Sequence, residues 1–183
     1  MPGRVTIAGT GQPLAALLAE LGIAPEVLER RGLPPCAEAT SLVVAQTDAD
    51  GREHLLVPAA AAAWWLLRDA AQADGVPMSI GSAFRSIDRQ AELVRRKLAR
   101  GVCIEDILAT SAPPGYSEHH TGRAVDVVTV DSAPLEQDFE QTAAYRWLTD
   151  RARAFGFVMS FPPDNPYGYV FEPWHWCYRD NHK

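Results

Sequence analysis

Cysteine is scarce in this 183-residue chain: there are three, Cys36, Cys103 and Cys177, all far apart. An odd count with no Cys-x-x-Cys pair supports neither a disulfide framework nor a thiolate zinc site. Any metal would have to be held by histidine and carboxylate. Long apolar runs are also missing. The Ala59–Leu67 stretch falls well short of the roughly 20 residues that span a bilayer, so no membrane span is expected. The first residues, Met1-Pro2-Gly3-Arg4-Val5-Thr6, lack the basic start and apolar core of a secretory leader. The chain therefore reads as cytoplasmic, or as periplasmic if a leader has been removed. Positive charge is in deficit too. The formal net charge is −6, and the densest basic cluster, Arg95-Arg96-Lys97, has no interleaved aromatics. It reads as the solvated face of a helix, and no nucleic-acid partner is expected. There are no repeats, and no low-complexity segment beyond the alanine run.

What is present is an ordinary globular composition, 47% hydrophobic and 22% charged, at a length that buries a core without staples. One domain is expected at residues 41–183, with a helical N-terminal extension over residues 1–40. Leu14, Leu17, Leu18 and Leu21 repeat at helical spacing. Ser41–Gln46 and His54–Val57 flank the turn signal Asp48-Ala49-Asp50-Gly51, which predicts a hairpin. Pro58 opens an alanine-rich helix to about Ala73, and Ser86 caps another over Ile87–Arg100. Met78–Gly81, Ala124–Val130, Phe157–Ser160 and Tyr169–Tyr178 read as strands, and Asp138–Phe155 as a helix stopped by Gly156. Without regular βαβ alternation, this is an α+β fold, a small, mainly antiparallel sheet flanked by helices.

Three segments carry chemistry: Ser82-Ala83-Phe84-Arg85-Ser86, Ser117 to Asp126, and Glu172-Pro173-Trp174-His175. A catalytic zinc needs three protein ligands and one open position. His119 and Asp126 are separated by Gly122, whose tight turn lets the two side chains converge. Asp126 lies within Ala124-Val125-Asp126-Val127-Val128, where alternation turns both valines to the opposite face. A carboxylate in so apolar a strand is costly unless a cation or donor satisfies it. His175 is the best third ligand, with His120 the adjacent rival to His119. Glu172, three residues before His175, suits a base beside an activated water.

These residues resemble the VanY-like D-alanyl-D-alanine carboxypeptidases, zinc metallopeptidases whose relatives share a hedgehog/D-Ala-D-Ala-peptidase-like fold. The pattern Ser-x-His-x-x-Gly-x-Ala-x-Asp is complete from Ser117 to Asp126, and Glu-x-Trp-His from Glu172 to His175. The resemblance covers about Val57 to Tyr178. It implies Zn2+ at His119, Asp126 and His175, with Glu172 as catalytic base. It implies Arg85 on the substrate carboxylate or the polarised carbonyl, and Gln90 and Ser117 in substrate binding. Three positions depart from the family: Ala83 and Phe84 replace its Gly-Tyr, and Cys177 stands where it often has Arg. The implied activity is zinc-dependent removal of a terminal D-alanine from peptidoglycan stem peptides, by a monomer or weak dimer. The alternatives are a zinc-stabilised, non-catalytic peptide- or wall-binding module, and a peptidoglycan endopeptidase. Arg85 as a salt-bridge partner of Glu118 or Asp88 stays open. Trp174, Trp176, Trp64 and Trp65 read as core. Cys177 has no helix start to lower its pKa, which argues against a thiol nucleophile.

Overall fold

A computed structural model of the chain describes residues 13–179. The N-terminal hexapeptide read for a leader lies outside them, as do the outer ends of both expected segments.

The chain starts with two short helices, α1 (Leu14–Glu20) and α2 (Pro25–Arg31). Pro25 opens α2 because the first helical turn needs no N–H from it, and Gly32 closes it in left-handed backbone. Next comes the hairpin of β1 (Val43–Thr47) and β2 (Glu53–Leu56), paired antiparallel with one bulge. Helix α3 (Pro58–Ala73) follows and buries Ala60, Ala61, Trp64, Leu67 and Ala71 along one stripe. Strand β3 (Ser79–Ser82) leads into α4 (Ile87–Ala99), where Ser86 Oγ accepts from the Arg89 N–H as the expected cap. The remaining elements are α5 (Ile104–Thr110), β4 (Ala124–Val128), α6 (Ala143–Arg151), β5 (Phe157–Met159) and β6 (His175–Tyr178).

The main sheet has four antiparallel strands in the order β3-β4-β6-β5. Its apolar face packs on α3 and α6 through Val125, Val127, Trp174, Trp176, Phe157 and Trp147. A second apolar cluster joins Leu17, Leu18, Ile23 and Leu28 of the N-terminal segment to Val94, Ile107 and Tyr169. The extension is thus packed against α4 and α5. The stretch after α2 also bonds to the site loops, through Cys36 N to Gly115 O and Ala39 N to His120 O.

Three expected elements are shorter or broken. Tyr169–Tyr178 becomes a strand only from His175, because Pro173 cannot donate to a ladder. The helix expected over Asp138–Phe155 divides into 3-10 turns at Gln137–Gln141 and Ala152–Phe155 around α6, which starts where Thr142 Oγ1 caps Tyr145 N. Strand β4 stops at Val128, before Thr129 and Val130.

Candidate metal centre

Register brings the distant ligands together. Asp126 on β4 stands directly opposite His175 on β6, so their side chains share one face of the sheet. The flanking residues Val125, Val127 and Trp176 turn the other way, into the core, while Trp174 packs on that core and also edges the cleft. His119 arrives from the 3-10 turn Glu118–Thr121, which Gly122 ends at φ +63° just before β4. A Cβ on Gly122 would lie 2.8 Å from Leu42 Cδ2 and 3.2 Å from Val57 Cγ1, so the position needs both the glycine conformation and its small size. One ligand atom from each of His119, Asp126 and His175 lies within 4.8 Å of the others, and all three residues are buried.

The outer hydrogen bonds fit this donor set to a cation. His119 Nδ1 lies 2.7 Å from Ala83 O, which can only accept, so Nδ1 carries the proton and Nε2 is left as an acceptor. That Nε2 is 3.2 Å from Asp126 Oδ2. His175 Nε2 lies 3.0 Å from Glu118 Oε2, while its Nδ1 lies 3.0 Å from Asp126 Oδ1. Each imidazole thus has one nitrogen anchored by an oxygen and the other turned toward Asp126, the pattern of histidines that ligate metal. Phe161 lies over the His175 ring at 4.7 Å between centroids, and His119 meets it edge-on at 5.0 Å. Arg179 engages the other oxygen of Glu118 and fixes that carboxylate in turn.

Charge follows the same geometry. Burial alone would lower the His175 pKa, but the hydrogen bonds to Asp126 and Glu118 overcome it and raise it to about 10. A proton on Nδ1 then occupies the place between His175 and Asp126 that a cation would take. Burial disfavours the carboxylate of Asp126, yet the two histidines hold it well below the usual range. Burial lowers His119, keeping it neutral as a ligand must be. Glu172 is raised to about 7, chiefly by burial, against the pull of His175 and with a push from Asp126. That value suits proton transfer near neutrality.

His119, Asp126, His175, Glu172, Arg85 and Ser117 all line one cavity of about 370 Å³, together with Phe161, Trp174 and Lys97. Arg85 is partly buried, and its Nε is a buried donor without a hydrogen-bond partner among the described residues. Glu118, one of its suggested salt-bridge partners, is committed to His175 and Arg179 instead. Gln90 is not among the lining residues. It is 1% exposed, and its Nε2 donates to Ala112 O at 2.6 Å, bracing the loop behind the cleft. His120 faces away from the ligands: its Nδ1 bonds Arg85 O at 2.6 Å and its Nε2 accepts from Gly115 N at 3.1 Å. Cys177 is buried, which raises its thiol pKa and keeps it protonated.

Three contributors carry little or no signal in the sequence. Glu118 has a weak signal, an acid next to a candidate ligand on the same turn. Phe161 and Arg179 have none, since only the fold carries Phe161 to His175 and Arg179 to Glu118. Lys97 was assigned to a solvated helix face; Arg95 and Arg96 are exposed, but Lys97 turns into the cleft.

The family model described as VanY, D-alanyl-D-alanine carboxypeptidase, matches residues 53–181. A D-alanyl-D-alanine carboxypeptidase of Enterococcus faecalis is 36% identical over 124 residues, 61% of this chain and 44% of its own length. The chain thus spans less than half of that relative. The LD-carboxypeptidase LdcB superposes with a TM-score of 0.70 at 29% identity, over 79% of this chain and 71% of the other. VanYB in complex with D-alanine-D-alanine gives 0.61 at 29% identity, over 79% and 80% of the two chains. A mutant VanY from a VanB-type resistance cassette, in complex with Zn(II), gives the same score and identity over 79% and 82%.

Proposed function

The chain belongs to the VanY D-alanyl-D-alanine carboxypeptidase family, and from that premise we propose that it is a zinc carboxypeptidase removing the C-terminal D-alanine of peptidoglycan stem peptides. The observation that carries this reading is the convergence of His119 Nε2, Asp126 and His175 Nδ1 beside Glu172, with the far nitrogen of each imidazole already anchored.

In this reading His119, Asp126 and His175 hold zinc. When bound, the ion supplies Lewis acidity toward the scissile carbonyl and toward water. Glu172 takes a proton from the attacking water as the new C–O bond forms. The carboxyl then passes that proton to the leaving amine as the C–N bond breaks, so it returns to its starting state. Its pKa near 7 serves both transfers. Arg85, with its unmatched Nε–H, donates to the oxygen on which negative charge develops. Phe161 and Trp174 line the cleft and keep bulk water from the reacting atoms. A base so placed speaks against a purely binding role, because binding alone has no use for a carboxyl poised near neutrality.

The test is product analysis. Zinc-loaded protein is incubated with defined tri-, tetra- and pentapeptide stems and the masses are followed. Loss of one alanine from the pentapeptide marks D,D-cleavage, and loss from the tetrapeptide marks L,D-cleavage. Intact peptides, or cleavage at an internal bond, would refute the carboxypeptidase reading.

A further inference from the structure

The cleft has a second end, which the chemistry above leaves unused. Lys97, Thr110 and Ser111 line it, on α4 and at the C-terminal end of α5. Lys97 Nζ donates to Ser111 Oγ at 2.7 Å and to Thr110 Oγ1 at 3.2 Å. An ammonium has three N–H donors, and these two neutral hydroxyls take two of them. Among the described residues no carboxylate lies within ion-pair distance of Nζ. Glu92, the acid one turn back on α4, pairs with Arg89 and Arg96 instead. Lys97 is a cation held in place by hydroxyls, with no ion-pair partner among the described residues, and the charge of Glu172 acts on it across the cavity they share.

A second cation, Arg85, lines the same cavity and feels the charges of Asp126 and Glu172, which puts it beside the reacting centre. Lys97 feels the charges of both Arg85 and Glu172, so the cleft holds two cations, of which only Arg85 also feels the metal-site carboxylate Asp126. A cation with no ion-pair partner in a low-dielectric cleft attracts an anion, and a compact ammonium distinguishes a carboxylate from a neutral amide. A stem peptide that ends at the residue being removed presents a free α-carboxylate one residue beyond the scissile carbonyl. A chain that continues presents an amide there.

We propose that Lys97, positioned by Ser111 and Thr110, binds the free α-carboxylate of the substrate and so confines hydrolysis to the terminal residue. This rests on the carboxypeptidase reading for its substrate and adds the group that separates exo- from endopeptidase action. A side-chain carboxylate of the same peptide is the other source of such an anion, and the peptides used in the test separate the two.

Three pentapeptides are compared: one with free terminal and side-chain carboxyls, one amidated at the terminus, and one amidated on the side chain. Wild-type protein is expected to prefer the free terminus by roughly tenfold or more in kcat/KM, the scale of a charged hydrogen bond, and to tolerate side-chain amidation. Lys97→Met should erase that preference, chiefly through KM, and Lys97→Arg should restore part of it. A preference that survives in Lys97→Met, one that follows the side chain, or a loss confined to kcat would overturn the inference.

Binding gives a readout independent of turnover. In zinc-loaded Glu172→Ala protein, calorimetry with D-alanyl-D-alanine and its amide should show the acid bound more tightly, and adding Lys97→Met should level the two. Failure of the wild type to hydrolyse any stem would refute the carboxypeptidase reading alone. Equal binding of acid and amide would refute the role of Lys97.

Discussion

His175 Nε2 lies 3.0 Å from Glu118 Oε2, and this contact fixes which face of the imidazole meets the metal site. With Nε2–H donated to Glu118, Nδ1 is the nitrogen left for a ligand bond. Burial opposes ionisation of Glu118, but the hydrogen bond from His175 outweighs it and holds the carboxyl well below its ordinary range. Glu118→Gln keeps the shape and loses the charge. Zinc affinity, measured by competition with a chelator, is expected to fall about 10–100-fold, and the metal-free protein is expected to unfold more easily at neutral pH, because the depressed pKa of Glu118 stabilises the fold there. Unchanged affinity would remove Glu118 from the support of the site.

Glu172 is expected to matter to turnover and not to metal binding. Glu172→Gln should retain one zinc per chain and lose at least about 100-fold in kcat against a stem peptide. Metal analysis and product release on the same sample check both halves. A variant that turns over like wild type would show that another group takes the proton.

His120 contributes to behaviour in acid, alongside the buried His119, whose pKa burial also lowers. Burial lowers the His120 pKa to about 4, against the opposing pull of the Arg85 carbonyl. The folded protein therefore refuses a proton that the unfolded chain accepts near pH 6.5. Stability is expected to fall as pH drops from about 6.5 to about 4, by at most about 3 kcal/mol from this group. His120→Asn should unfold more easily at pH 7.5, through loss of the tie between Arg85 and Gly115, and show a flatter dependence over that window. Denaturant unfolding at several pH values measures both.

Gly122→Ala tests the turn that delivers His119. Left-handed backbone costs a non-glycine residue about 1–2 kcal/mol, and the new methyl would press on Leu42, Val57 and Ala39. A loss of about 2 kcal/mol or more in unfolding free energy is expected, with weaker zinc binding because His119 shifts. A neutral effect would mean the turn is softer than its contacts imply.

Much of this is legible in the amino-acid sequence. The hairpin, α3 and α4 were fixed by local signals: a turn between β-branched runs, Pro58 at a helix start and Ser86 at a cap. Asp126 was suspected because a carboxylate among valines needs a reason, and its neighbours do pack into the core. What stayed hidden depends on tertiary placement. The pairing of Asp126 with His175 is a matter of strand register, and no local pattern states it. The short helices α2 and α5 carry too few turns to show a period. Lys97 was misread because a basic run on a helix is usually solvated, and only the packing of α4 against α5 turns one member inward. Gln90 illustrates the reverse: a family position read for substrate lies buried against Ala112.

The most direct measurement is an anomalous difference map, collected at the zinc absorption edge from crystals of the zinc-loaded protein. One strong peak is expected, about 2.0–2.2 Å from His119 Nε2, His175 Nδ1 and an Asp126 oxygen, with the Glu172 carboxyl facing its remaining side. A peak elsewhere, or none at these three residues under saturating zinc, would contradict the metal site on which the proposed chemistry depends.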